Sequence, residues 1–207
     1  MGVPIQVDLD RLGSTGVSQL LTAKALSTLN GCRFGAVIGN GATMLAPVTA
    51  IPTTTATMAL YNGSSARSYL IDRIGAVLAS GTPGIGSALI ACVTAIAQAR
   101  PTLGAGNNGG YAGVIMNCLN GDGAPGNSEG VFINAITLTG PQPAWLPFAG
   151  NPDGTATANI ATHILIAEVD GGIVVPPGHM LGLAVLSATG TNPLFSFSVV
   201  WDEIELQ

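Results

Sequence analysis

The segment Gly171–Gln207, GGIVVPPGHMLGLAVLSATGTNPLFSFSVVWDEIELQ, decides how this chain is read. Pro176, Pro177 and Gly178 interrupt a β-ladder, because neither proline offers an N–H and glycine readily takes a turn conformation. The chain must turn before His179. The stretch HMLGLAVLSA then sets Leu181, Leu183 and Val185 on one face of a strand, and GTNP at 190–193 turns it back. In the closing strand Phe195, Phe197, Val199 and Trp201 share one face, with Ser196 and Ser198 on the other. After Trp201 the apolar parity passes to Ile204 and Leu206. Such a switch means either a β-bulge or a change in which face is covered. It makes Trp201, Ile204 and Leu206 the candidate interface residues.

Upstream, the same turn-and-strand grammar recurs. TTATMALYNGS alternates Ala56, Met58 and Leu60 with polar neighbours and turns at Asn62-Gly63; RSYLIDRIGAVLAS and the small-residue run GSALIACVTAIAQA follow. YAGVIMNCLNGDG, EGVFINAITLTG and THILIAEV continue the series, separated by the glycine-dense LGAGNNGG and the proline-containing PQPAWLPFAGNPDGTAT. One segment reads as helix: VSQLLTAKALSTLNG places Val17, Leu20, Leu21 and Leu29 near one face, with Ser14 or Thr15 as N-cap and Gly31 as stop. The fold class is therefore all-β, a jelly-roll-like antiparallel β-sandwich of about eight to nine strands with a short N-terminal helical arm. Residues 1–42 are assigned to the arm and residues 43–207 to the sandwich. No repeat period is visible, which excludes propellers and solenoids.

Charge is the anomalous quantity. Only 8% of the 207 residues are Asp, Glu, Lys or Arg, against about 25% in a typical domain. A compact monomer of this mass exposes roughly 8,900 Å², so the chain carries about one charge per 500 Å², where ordinary composition would give about one per 170 Å². So thinly charged a surface is poorly protected against association, and it implies an obligate assembly subunit. Disorder is opposed by the 47% apolar content and a mean hydropathy of +0.50. No apolar run approaches the 18 residues of a membrane helix, and aromatic side chains are too few for the girdles of a lipid-facing barrel, so no membrane association is expected. The opening MGVPIQVDLDRLG has neither the basic and apolar regions of a secretory leader nor the Ser or Thr of a myristoylation signal. Cys32, Cys92 and Cys118 are odd in number and sit in apolar contexts, so buried reduced thiols and synthesis in a reducing cytoplasm are expected.

Catalytic chemistry finds little to work with. His163 and His179 lack neighbouring nucleophiles or metal-ligand spacing, and no H-E-x-x-H, G-x-S-x-G, C-x-x-C or Walker sequence occurs. Asn120, Asp122, Asn127 and Glu129 form an oxygen-rich loop, but its spacing departs from the EF-hand and a plain turn explains it, so no metal is expected. Asp202, Glu203 and Glu205 read as a solvated edge that blunts strand pairing. GNGAT and GTPGIGSA lack the lysine and the βαβ context of phosphate loops, so no cofactor is expected. Asn62-Gly63-Ser64 matches a glycosylation acceptor but equally makes a hairpin turn. With six basic residues, a pI near 4.6 and a near-neutral arm, direct nucleic-acid binding is not expected.

The progression from IDRIGAV at 71–77 through VVPPG at 174–178 to FSFSVVWDEIEL at 195–206 resembles the single jelly-roll modules of tailed-phage virion proteins. Those are head-decoration, head-fibre or tail-associated subunits, often trimeric. The resemblance spans residues 54–206 and is one of pattern, so it carries no functional residues over. It implies a non-enzymatic capsid-associated or decoration subunit, located in the virion, whose partners are copies of itself, in a trimer, and other virion proteins. The alternative is a receptor- or carbohydrate-binding sandwich in which Trp145, Tyr111 or Trp201 stacks on sugar rings.

Overall fold

The computed structural model describes residues 23–38, 44–102, 114–119, 128–151 and 163–205. Among these residues a single short helix, α1 (Ala23–Leu29), precedes ten strands. They are β1 (Arg33–Ile38), β2 (Thr55–Tyr61), β3 (Arg67–Thr82), β4 (Ser87–Val93), β5 (Val114–Asn117), β6 (Val131–Thr137), β7 (Leu146–Asn151), β8 (Ile164–Val175), β9 (Met180–Ser187) and β10 (Thr191–Glu205). They form two five-stranded antiparallel sheets, β5-β1-β10-β3-β8 and β6-β2-β9-β4-β7. The protein is thus an all-β sandwich. Pairing is nested: β1 lies against β10, β2 against β9, β3 against β8 and β4 against β7. Successive pairs alternate between the two sheets. No helix among the described residues is long and apolar enough to cross a membrane.

Two strands were not expected. β1 falls inside the segment assigned to the arm, yet it sits between β5 and β10 in the first sheet, so the sandwich begins by Arg33. Its RFGAVI buries Phe34, Ala36 and Ile38, an alternation too short to register beside the helical pattern before it. β7 falls inside the proline-containing connection. Pro147 is tolerated there because β7 is an edge strand, and the register slips next to it, between Leu89 and Ile90 of β4. The helix ends where its glycine requires, Gly31 holding φ at +68°. Leu29, expected on the packed face of that helix, is instead exposed. Its proposed N-cap and Val17, Leu20 and Leu21 lie outside the described residues.

The inward faces of the two sheets build one core. Phe34, Leu60, Tyr69, Ile74, Phe197 and Trp201 are among its fully buried side chains. The Trp201 ring is stacked between Phe34 and Tyr69, with centroids at 5.9 and 5.6 Å and interplanar angles of 26° and 27°. Offset aromatic pairs at such distances add to the energy of area burial.

The parity break expected in β10 is elsewhere. Along β10 the inward positions run without interruption from Phe195 through Phe197, Val199 and Trp201 to Glu203. The bulge belongs to β3: Val200 faces Arg73 and Trp201 faces Ile71, so Asp72 is skipped. β8 skips it too, passing from Glu168 opposite Arg73 to Ile173 opposite Ile71. Ile71 and Ile74 thereby both point inward, while Asp72 is turned out of the ladder. Trp201 is consequently core rather than interface. Replacing it should leave a large cavity: Trp201→Ala is expected to cost about 3–5 kcal/mol of unfolding free energy in a urea titration.

Candidate interaction surfaces

The expelled Asp72 gathers charges. Lys24 Nζ lies 2.6 Å from Asp72 Oδ1 and 2.6 Å from Asp170 Oδ1, and Arg33 bonds the other oxygen of Asp72. Arg33 Nη1 also reaches Asp202 Oδ2 at 3.1 Å, and Ser27 Oγ donates to Asp202 Oδ1 at 2.6 Å. These bonds fasten α1 to the outer side of the first sheet. Asp170 is brought over Asp72 because β8 loops out there, with Asp170 and Gly171 at φ +50° and +78°. Burial works to raise the Asp72 carboxyl, but the hydrogen bonds from Lys24 and Arg33 and their charges prevail and hold it below the ordinary carboxylate value. The same bonds, to Asp170 first and then Asp72, push the Lys24 ammonium above its usual value. Carboxylate oxygens of Asp72, Glu168 and Asp170 approach within 4.8 Å of one another. With the Lys24 ammonium already on two of them, this cluster is an ion-pair network.

Glu203 behaves unlike its expected role. β10 is the middle strand of its sheet, so the acidic cluster at its end guards no edge. Glu203 points inward, its side chain 1% exposed, and Ser128 Oγ donates to its Oε1 at 2.6 Å. Arg67 Nη1 lies 3.7 Å from Oε2, and Trp201 Nε1 donates to Oε1 at 3.4 Å. Burial and the Glu203 charge push the Tyr69 phenol above its ordinary value. Asp202 pairs with Arg33, and Glu205 is exposed. Four of the six cationic side chains, Lys24, Arg33, Arg67 and Arg73, are thus in ion pairs within the chain.

The second sheet contrasts completely. None of its five strands contains Asp, Glu, Lys or Arg. A second apolar cluster of Ala59, Tyr61, Cys92, Val131, Ile133 and Met180 is buried apart from the main core, with Trp145 packed against it. Gly182 makes this possible, since a Cβ there would lie 2.9 Å from Cys92 Sγ and 3.2 Å from Trp145 Cη2. The adjoining loops are tied by Gln98, whose amide donates to the carbonyls of Ile96 and Thr139, both at 2.9 Å, and accepts from the Thr139 N–H at 2.7 Å. An open groove of about 430 Å³ runs along Leu45, Val48, Pro52, Thr55, Thr57 and Ala135. A cleft of about 250 Å³ opens between the edge strands β7 and β8, lined by Val93, Leu146, Phe148, Ile173 and Val174. Nothing in the alternation of the sequence announced Gln98 or Gly182, because one is a lone amide and the other a lone glycine.

The remaining sequence-derived candidates are scattered. Trp145 is half-buried, with its Nε1 enclosed and lacking a hydrogen-bond partner among the described residues. Its ring is committed to its own sheet and does not stand out as a sugar platform. Ile204 is half-buried on the face opposite Trp201. Tyr111, Leu206, Asn120, Asp122 and Asn127 lie outside the described residues, and Glu129 is exposed. His163 is buried at the entrance to β8, whereas His179 sits beside its turn with Nδ1 3.0 Å from the Pro177 carbonyl. Asn62 is fully buried; it donates to the carbonyls of Arg67 at 2.8 Å and Val175 at 2.9 Å, so in the folded chain it is closed to glycan attachment. Of the three cysteines expected to be buried, only Cys92 is; its thiol is pushed up to about 12 by desolvation. Cys32 is partly covered and Cys118 exposed, since Cys118 follows the short edge strand β5.

Comparison with protein-family models, with curated proteins and with solved structures found no match.

The Asp72 network makes a pH prediction. A carboxyl held below its ordinary value contributes stability that is complete above the unfolded value of about 4 and is lost as pH falls further toward the folded value. Asp72→Asn should lower stability near neutral pH by about 1 kcal/mol, a modest cost because Lys24 keeps Asp170 and Arg33 keeps Asp202. It should also flatten the acid limb of a plot of Tm against pH, as followed by circular dichroism.

Proposed function

We propose that this chain is a non-enzymatic structural subunit of a virion, a jelly roll that assembles with copies of itself and with other coat proteins through charge-poor surfaces. Support for the jelly roll comes from the nested pairing. The order β1-β10-β3-β8 over β2-β9-β4-β7 is that of an eight-stranded double Greek key, to which β5 and β6 add one strand each, beside β1 and β2. The observation that carries the functional reading is the segregation of charge: one sheet has no ionisable residue of the Asp, Glu, Lys or Arg type, and most cations of the chain are spent on internal pairs. Such a surface has little to hold it apart from a neighbour, and each 100 Å² of apolar area removed contributes roughly 2.5 kcal/mol before association costs. Closed symmetry repeats each contact.

The same pairing argues against a role in holding genome, because phosphate binding draws on free Lys and Arg. In sedimentation velocity at micromolar concentration the purified chain is expected to run as a homo-oligomer. Raising NaCl to about 1 M should leave the assembly intact, because salt screens charges and not apolar contacts. A monomer at every concentration would overturn the proposal.

A further inference from the structure

The outer face of the first sheet divides into two halves. One is the charged corner covered by α1. The other is open, and its cross-strand rows can be read from the register. Val200, Arg73 and Glu168 are aligned across β10, β3 and β8; the next outward row is Ser198, Gly75 and Ile166; the next is Ser196, Val77 and Ile164. Val37 of β1 extends the middle row. Val77, Ile164 and Ile166 are 37%, 51% and 49% exposed, a contiguous apolar strip whose neighbours in its two rows are Ser196, Ser198, Gly75 and Val37. A sheet face of this kind is flat enough to take another sheet at the usual spacing of about 10 Å.

The side chains along β3 and β8 are complementary to each other row by row. Arg73 stands beside Glu168, glycine 75 beside the protruding Ile166, and Val77 beside Ile164. A two-fold axis lying in the plane of the face, between and parallel to these strands, would set each residue of β3 against its row partner on the β8 of a second copy. The cation then meets the anion, the Ile166 side chain settles over Gly75 beside the same-chain Ile166 and Ser198 side chains that flank that glycine, and the two aliphatic side chains meet. Only self-complementary surfaces make isologous contacts. The Arg73–Glu168 pair within one chain is loose, at 3.9 Å with both side chains about half exposed, so it can be exchanged for the same pair across the contact.

We infer that the β3–β8 half of this face is a two-fold contact between copies of the chain, with Ile166 against Gly75 at its centre and reciprocal Arg73–Glu168 pairs beside it. The inference rests on the assembly reading above and names the surface. An isologous contact yields dimers, or joins larger rings in pairs.

The test is a sedimentation-equilibrium series on the full chain and four variants: Ile166→Lys, Arg73→Glu, Glu168→Arg and the double swap. The expected result is self-association weakened at least tenfold by Ile166→Lys and by each single swap, and recovered in the double swap. Circular dichroism melts should remain cooperative, because all three positions are on the surface. Association unchanged in the variants would overturn this face while leaving the assembly reading standing. A parent chain that never associates would overturn both. Weakening by the single swaps without recovery in the double would overturn the reciprocal pairing and with it the two-fold geometry.

Discussion

One displaced residue organises the first sheet. With Asp72 skipped by both neighbouring strands, β3 can present Tyr69 and Ile71 to the core before the bulge and Ile74, Ala76 and Leu78 after it. Without the extra residue, one of these two sets would face solvent, because a one-residue slip exchanges the faces of a strand. The carboxylate thrown outward then becomes the point at which three segments distant in sequence meet: α1 through Lys24, β1 through Arg33, and β8 through Asp170. A single irregularity thus serves both the apolar interior and the polar exterior.

The rest of the charge distribution follows from that corner. In a chain with six cations, a network that engages Lys24, Arg33 and Arg73 on one side of one sheet leaves few for any other surface. Glu203 withdraws a further pair to the interior end of the sandwich, with Arg67 beside it. The strands of the second sheet carry no Asp, Glu, Lys or Arg, and the loops beside its outer apolar cluster are pinned by Gln98 and Trp145. The two sheets are therefore chemically different, one partly ionic on its outer side and one with no Asp, Glu, Lys or Arg in its strands.

Much of this was legible in the sequence where residues alternate. Leu181, Leu183 and Val185, and Phe195 through Trp201, are in the core as their period of two requires. The Gly31 stop was readable because its left-handed backbone demands glycine, whereas Asn62-Gly63, read as a hairpin turn, instead carries the chain from β2 in one sheet to β3 in the other. The failures are equally physical. β1 was hidden because six residues containing a glycine carry too little signal beside a helical pattern, and β7 because its proline marks an edge as readily as a loop. The bulge was misplaced because a charged residue, Glu203, fills an inward position that a hydrophobic pattern assigns to Ile204. The pairing decides which of two strands carries an extra residue, and that information is absent from either strand alone. The acidic corner was beyond reach, since Lys24, Asp72, Asp170 and Asp202 come together only through the pairing of strands.

The nested pairing constrains how the molecule comes into being. β10 is the last of the ten strands to leave a ribosome, yet it occupies the middle of the first sheet, between β1 and β3. Until it arrives, β1 lacks its principal partner and the Phe34 and Tyr69 rings lack the indole that separates them. Nascent β1 and β3 each wait with one edge unsatisfied, and closure demands contacts between the two extremes of the described chain, a topology that folds slowly. Completion of the first sheet therefore waits on β10, and until β10 docks the facing edges of β1 and β3 are open to pairing with other strands.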